Sequence, residues 1–410
     1  MYCGDRGIGD SCMPEDMLFK KIYGCIAAGF VGAALGEPSR RCGGGVFDCY
    51  RGLCGPIEGA HWRVIDETLG KPVDKLLPQT KAWTGGEVPE VGYEALEWRT
   101  LRWHNGPVFK LPVLNYPPGT NEDGGERKWL VMKAIFDKGG RINKEDLRQA
   151  WLKYVNPEWF GYHLLPRDKY TYENMKKYPA SEVGKYDRWP GNVDVLMMIH
   201  PVGIINACDP LTAAEDALDV CQTIQSSLIS YAPDAAAAIA AGIAEAFKPD
   251  ATVESIIEES KRYVDENIGQ VIDECLEIAK KAPDILEVRE LFWRRFGGRV
   301  PTDSLEVVGE SYAMFWITKG DPKQSMIGGA SLGRDADCVA SIAGAIAGAY
   351  KGIDAIPKDW VETCNRAILN DPHELIDMSI EEMSMELYKV LLGMIEKRKE
   401  QIRMLESMMK

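Results

Sequence analysis

Apolar residues recur at helical spacing over most of this chain. The pattern predicts a first helix at 19–36 and, from Glu126 onward, helices at 126–138, 144–153, 211–230, 234–247, 252–265, 268–280, 283–296, 305–318 and 338–351. A last amphipathic helix is expected over 380–409, where Leu387, Val390, Leu391, Met394, Ile395, Ile402, Leu405 and Met409 share a stripe. Such a stripe marks packed core or a contact between subunits, which leaves self-association open. Two stretches break the rhythm. Residues 37–119 are rich in Gly, Pro and Trp (Trp62, Trp83, Trp98, Trp103), and residues 154–190 form a second irregular section. Irregular chain of this length usually forms or covers a site. The expected fold is all-α: a loose segment 1–18, one large helical domain 19–379 with an irregular insertion at 37–119, and a C-terminal helix 380–410.

The stretch SMIGGASLGRDADCVASIAGAIAGAY, residues 325–350, carries the clearest chemistry. Asp335 and Asp337 lie in a Gly-Arg-Asp-Ala-Asp-Cys turn, followed by almost only small apolar residues from Val339 to Ala349. That segment reads as a helix buried on all sides and packed closely through its Gly and Ala positions. Carboxylates at the mouth of such a helix need a metal, a cation or hydrogen bonds to compensate them. One reading is an Asp N-cap with a spare surface acid; the other is half of a metal site. A second acidic group, Thr120-Asn121-Glu122-Asp123, follows the turn signal Pro117-Pro118-Gly119 and precedes a helix. Read alone, it is a solvated acidic helix start favoured by the helix dipole.

In these motifs the chain resembles the ADP-ribosylglycohydrolase superfamily. Within residues 325–350, the Gly-Arg-Asp-Ala-Asp-Cys turn with the Ala/Gly-rich helix resembles its C-terminal Gly-Gly-Asp-Thr-Asp-Thr signature, and KIYGCIAAGFVGAALGEP at 21–38 resembles its opening helix and turn. Residues 303–322 resemble the helix before that signature, 189–210 the central Gly-Asn segment, and 119–151 the Thr-Asp-Asp loop with the helices after it. The matches run in family order from about residue 20 to about residue 365. The resemblance implies a single orthogonal helical domain and a glycoside hydrolase acting on an N-glycosidic, ribose-type bond. It also implies magnesium, or manganese or another divalent ion, held by Asn121, Glu122, Asp123, Asp335, Asp337 and Cys338. Glu122 or Asp123 would be the general base, and Glu37, Trp83, Asn192 and Arg334 would contact substrate. Trp103 and Tyr116 are further stacking candidates, while His200, before Pro201, reads as structural.

The chain also departs from that family. Cys338 stands where a threonine is expected, and a neutral thiol is a poor magnesium ligand. Asn121 stands at the first position of the Thr-Asp-Asp run, Arg40 near an expected Glu, and Ser226 and Ser227 near an expected His. The resemblance therefore leaves two alternatives: a hydrolase of another nucleoside- or metabolite-type glycoside, and a catalytically reduced ligand-binding relative.

Composition changes this little. Over 410 residues, 45% hydrophobic and 27% charged are ordinary for a globular chain. The 48 basic against 62 acidic residues give −14 with no basic stripe, which argues against nucleic-acid backbones and anionic membranes as partners. No apolar run reads as long enough to span a bilayer, and the first residues carry no secretory pattern. The substrate expected is a small-molecule or ADP-ribosyl-type glycoside. Of the eleven cysteines, Cys25, Cys208, Cys221, Cys275 and Cys364 fall in apolar or helical patterns and read as buried hydrophobes. Cys42, Cys49 and Cys54 near His61 lack the spacing of a structural zinc site, and a reducing, cytoplasmic setting is expected.

Overall fold

The computed structural model describes residues 14–39, 72–77, 79–81, 97–102, 108–226, 230–282, 284–297 and 299–409. The architecture is predominantly helical, as the pattern predicts. Helix α1 (Met17–Gly36) starts at Asp16, whose side chain accepts from the Phe19 N–H at 2.9 Å. Then come α2 (Asp123–Lys138), α3 (Lys144–Tyr154), α4 (Pro166–Lys177), α5 (His200–Ile205), α6 (Pro210–Cys221), α7 (Ala232–Ala246), α8 (Val253–Arg262) and α9 (Glu266–Ala279). The chain continues through α10 (Ile285–Phe296), α11 (Ser304–Ile317), α12 (Pro322–Leu332), α13 (Ala336–Lys351), α14 (Lys358–Asn370) and α15 (Ile380–Met408).

At the centre, α1 lies antiparallel against α13, and the two are close enough for backbone to meet backbone. A Cβ added at Gly24 would stand 2.5 Å from the Gly348 carbonyl oxygen, and one at Gly348 2.2 Å from the Gly24 carbonyl oxygen. At the other end, Cβ atoms on Gly32 and Gly36 would each stand 2.4 Å from the carbonyl oxygens of Ala340 and Ala336. The small residues thus serve close approach, and two segments far apart in sequence meet at the centre. α1 is long and apolar enough to cross a bilayer, contrary to the sequence expectation, but most of it is buried inside the fold. α15 packs on it through buried Ile380, Met383, Leu387 and Leu391, with the Phe19 and Tyr388 rings edge to face at 5.5 Å.

Several elements differ from expectation. Within the segment read as irregular, β1 (Gln79–Lys81), β2 (Glu97–Arg102) and β3 (Val108–Tyr116) form an antiparallel sheet in the order β1-β3-β2, Gln79 opposite Tyr116 and Arg99 opposite Leu111. The chain leaves β3 through Gly119, whose φ of 92° suits a residue without Cβ, and so delivers Thr120–Asp123 to the core. Helix α4 falls in the second irregular section, and α12 and α14 were not anticipated. In α12 two adjacent glycines hide the helix from propensity, yet Gly329 is needed there because a Cβ would meet Ala340 at 2.5 Å. Helix α6 stops at Cys221 rather than running to 230, and Thr223 just beyond it donates to the Lys144 carbonyl at 2.9 Å. Cys208 is exposed, not buried, at a φ of 68°. The Cys42, Cys49, Cys54 and His61 group lies outside the described residues.

The close contact gives a signed prediction. Gly32→Ala should destabilise the fold by about 2–3 kcal/mol, because the added methyl meets backbone rather than a yielding side chain. Gly393→Ala on α15, where an added Cβ meets nothing within 4 Å, should stabilise by about 0.5–1 kcal/mol. Urea denaturation of both variants checks the pair, and equal effects would show that the α1–α13 contact is not tight.

Candidate metal centre

Three turns bring acids together. Glu37 follows the end of α1, Glu122 precedes α2, and Asp335 precedes α13, whose first turn carries Asp337 and Cys338. Glu122 and Asp335 both occupy N-cap positions, yet neither makes a capping hydrogen bond. The capping explanation of these acids therefore fails, and their oxygens are directed elsewhere. Glu37, Glu122 and Asp337 each offer an oxygen, all within 4.8 Å of one another, and Asp335, Asp337 and Cys338 group in the same way. The carboxylates are all buried, Glu37 and Glu122 at 7% exposure and Asp335 at 1%. Between them lies a cavity of about 10 Å³, lined by Ala33, Gly124, Gly125, Met197 and Ser341 besides Glu37, Glu122, Asp337 and Cys338. That space suits one particle the size of a water or a bare cation.

The donor set fits a hard divalent cation: ligand oxygens about 2.0–2.6 Å from a shared ion lie within about 5 Å of each other. Cys338 is the exception. Its thiol donates to Asp337 Oδ2 at 3.6 Å, so in this arrangement it supports a ligand. Glu37, expected to contact substrate, joins the acid group instead. The α1–α13 packing is the cause, since Gly36 rests on Ala336 and carries the next residue to Asp337.

Asp123, expected as ligand and base beside Glu122, has a different environment. Its carboxylate, fully buried, is paired with Arg127 at 3.1 Å and Arg167 at 3.2 Å. Arg127 also pairs with Asp168 at 2.7 Å and Asp194 at 3.1 Å, and Arg167 with Asp194 at 2.5 Å. The three acids hold the buried Arg127 guanidinium above its usual pKa against the cost of burial. A carboxylate shared by two guanidiniums is a poor proton acceptor, so this pairing weighs against Asp123 as the base. Asn121 is buried, its Nδ2 3.4 Å from the Gly119 carbonyl oxygen and its Cβ close over Gly125, and no carboxylate of the acid group bonds to it among the interactions seen.

The other expected residues scatter. Arg334, at a φ of 54°, turns inward and is spent on both oxygens of Glu306 and the carbonyls of Phe296 and Arg299 at 3.0 and 3.1 Å. It anchors the Asp335 turn and is only 2% exposed. Asn192 forms an isolated antiparallel bridge with Asp303 and is not among the residues lining that cavity. The Tyr116 and His163 rings lie tilted at 37° to each other, their centroids 5.0 Å apart. His200 is buried. Trp83, Trp103 and Arg40 lie outside the described residues.

The profile of the ADP-ribosylglycohydrolase family matches residues 14–393. The chain belongs to this family. Human ADP-ribosylhydrolase ARH3 is 48% identical over 42 residues, 10% of this chain and 12% of that protein, and the mouse protein is 45% identical over 42 residues, 10% and 11%. The chain thus matches about an eighth of these curated relatives. A solved "ADP-ribosylglycohydrolase-related protein complex" superposes with a TM-score of 0.54 at 16% identity, covering 91% of this chain and 99% of that one. It shares the fold. A glycohydrolase-type function accords with family membership, with acids present that could bind a metal.

Within this family member, the sequence reading missed Met197, Ser341, Arg127, Arg167, Asp168 and Asp194. Two had a signal: Ser341 interrupts an otherwise apolar helix, and Arg127 sits four residues after Asp123, the spacing of a helical ion pair. The two adjacent acids can be separated by experiment. Asp123→Asn should lower stability by about 2 kcal/mol, because it weakens a charged hydrogen-bond network. Glu122→Gln should leave the melting temperature unchanged or higher while weakening Mn²⁺ binding. Calorimetry on both variants decides, and an Asp123→Asn protein as stable as wild type would refute the structural role given to that acid.

Proposed function

We propose that this protein is a metal-dependent hydrolase of an N-glycosidic, ribose-type bond, with Glu37, Glu122, Asp335 and Asp337 holding Mg²⁺ or Mn²⁺. The observation that carries this reading is the meeting of acids from three separate segments within 4.8 Å around a one-particle cavity. A cation bound there would act as a Lewis acid toward water and sugar hydroxyls. Cleavage builds oxocarbenium character at the sugar C1, which the surrounding carboxylates stabilise. Glu122 is the base of choice: it accepts a proton from the attacking water, the water oxygen bonds to C1, and the aglycone departs with the bonding electron pair. Asp335 and Asp337, on the rigid start of α13, hold the opposite side. Their turn is fixed from behind by Arg334 and Glu306.

The substrate class follows the family: a small-molecule or ADP-ribosyl-type glycoside. A cytoplasmic setting belongs to the same proposal, supported by Cys25, Cys208, Cys221, Cys275 and Cys364 standing outside any disulfide among the described residues. No nucleic-acid or membrane partner is part of it.

The double variant Asp335→Asn/Asp337→Asn keeps shape and removes two charges. It should bind Mn²⁺ at least about a hundredfold more weakly and lose hydrolysis of an ADP-ribosylated peptide, with its melting temperature equal or raised by relief of acid–acid repulsion. Full activity in a metal-depleted double variant would sink the reading. Mn²⁺ binding without hydrolysis of ADP-ribosylated, nucleoside or other glycoside substrates by wild type would instead favour a binding relative.

A further inference from the structure

Helix α15 outruns the fold it packs on. Its inner half is seated through Ile380, Met383, Leu387 and Leu391, and Met394 and Ile395 are partly buried. From Glu396 to Met409 every residue is exposed. The apolar stripe nevertheless continues into this outer half, with Ile402 at 52%, Leu405 at 54% and Met409 at 86% exposure. Steps of four, three, four, three and four link Leu391, Ile395, Arg398, Ile402, Leu405 and Met409, which is the a and d spacing of a two-stranded coiled coil. A helix end of this length, about 20 Å, is marginal in water unless its apolar face is covered.

The charges beside the stripe select what covers it. With Leu391, Arg398 and Leu405 at d positions and Ile395, Ile402 and Met409 at a positions, Lys399 and Glu406 both fall at e positions. Two parallel copies would set Arg398 against the partner's Arg398 inside the seam and pair no opposite charges along its edge. Two antiparallel copies instead set Ile402 against the partner's Leu405 and move Arg398 to the end of the overlap. They also place Lys399 beside the partner's Glu406, twice over by the twofold axis. In the single chain Lys399 holds Glu396 at 2.7 Å, an exposed pair weak enough to be exchanged. Lys397, Arg398, Lys399 and Arg403 are nearly matched by Glu396, Glu400 and Glu406, so the segment offers no strongly basic face to an anionic lipid surface.

We propose that the outer half of α15 pairs two copies of this chain as a short antiparallel coiled coil centred between Arg403 and Met404. The two folded bodies then stand at opposite ends of the helix pair, and the pairing is independent of the metal-site reading above. Because the inner half of α15 already orders the helix, little of the cost of forming it opposes association. So short an overlap buries less than the roughly 1,200 Å² of lasting complexes, and the dimer is reversible, with a Kd on the order of 10–100 µM.

The test is sedimentation equilibrium of the purified full chain at about 0.15 M salt. The proteins compared are wild type, Lys399→Glu, Glu406→Lys and Ile402→Ser/Leu405→Ser, all substituted at exposed positions, so that folding is kept. Wild type should pass reversibly from monomer to dimer, and the apolar double variant should stay monomeric with an unchanged melting temperature. Each charge variant alone should dimerise at least about tenfold more weakly, because like charges then meet at both ends of the pair. Mixed in equal amounts, the two charge variants should regain the wild-type affinity, since one supplies only acids and the other only bases at the e positions. Wild type that remains monomeric up to about 1 mM overturns the proposal. Charge variants that dimerise like wild type, or a mixture no tighter than its components, overturn the antiparallel pairing and the proposal with it. A monomer that instead sediments with phosphatidylserine vesicles overturns it in favour of a lipid surface.

Discussion

The structure depends on the backbone-to-backbone seat of α1 against α13. Gly24 rests on Gly348, Gly32 on Ala340 and Gly36 on Ala336, with no room for a Cβ at any of the three glycines. Helices joined by larger side chains would stand further apart. Here the approach closes a loop of some three hundred residues and fixes the rotation of both helices at once. Because they run antiparallel, the C-terminal end of α1 meets the N-terminal start of α13. Glu37 and Asp337 become neighbours as a consequence of packing, before any ion is considered.

Buried charge then sorts the acids into two kinds. Arg127 and Arg167 neutralise Asp123, Asp168 and Asp194, tying α2, α4 and the turn at Asp194 into one unit. Arg334 performs the matching task for Glu306 beneath the Asp335 turn. Breaking such a buried network by removing one partner typically costs about 3–5 kcal/mol, so these groups hold the two acid-bearing turns in place. Glu37, Glu122 and Asp337 instead come together, each offering an oxygen within 4.8 Å of the others.

Much of this was legible in the amino-acid order, and the rest was hidden for physical reasons. The small-residue helix at 338–351 and the opening helix could be read because burial on all sides leaves a composition that surface helices lack. The acids at 122, 335 and 337 could be read because each interrupts or precedes an apolar run. The division of labour between Glu122 and Asp123 could not, since it depends on which way two adjacent side chains leave a helix start. Arg334 was expected to face substrate, but its left-handed backbone turns it into the core, and nothing in a non-glycine residue type announces a φ of 54°. Glu37 was assigned to substrate because its place beside Asp337 follows from a helix–helix contact between residues far apart in sequence. The strands between 79 and 116 were masked by the same Gly-, Pro- and Trp-rich composition that suggested irregular chain.

Cys338 shows how local chemistry is subordinated to this frame. A thiol at the metal's edge would favour softer ions if it were ionised, because thiolate is the ligand form of cysteine. Instead its hydrogen points to Asp337 Oδ2, and the residue is 2% exposed at the start of the tightest-packed helix. A protonated thiol donating to a carboxylate spends one lone pair of that oxygen and orients the other. A cation held at this site would feel the side chain only through Asp337, much as it would a hydroxyl, with a weaker and longer hydrogen bond. Replacement of a hydroxyl by a thiol here is compatible with an all-oxygen ligand set, and the hard character of the site survives the departure in sequence.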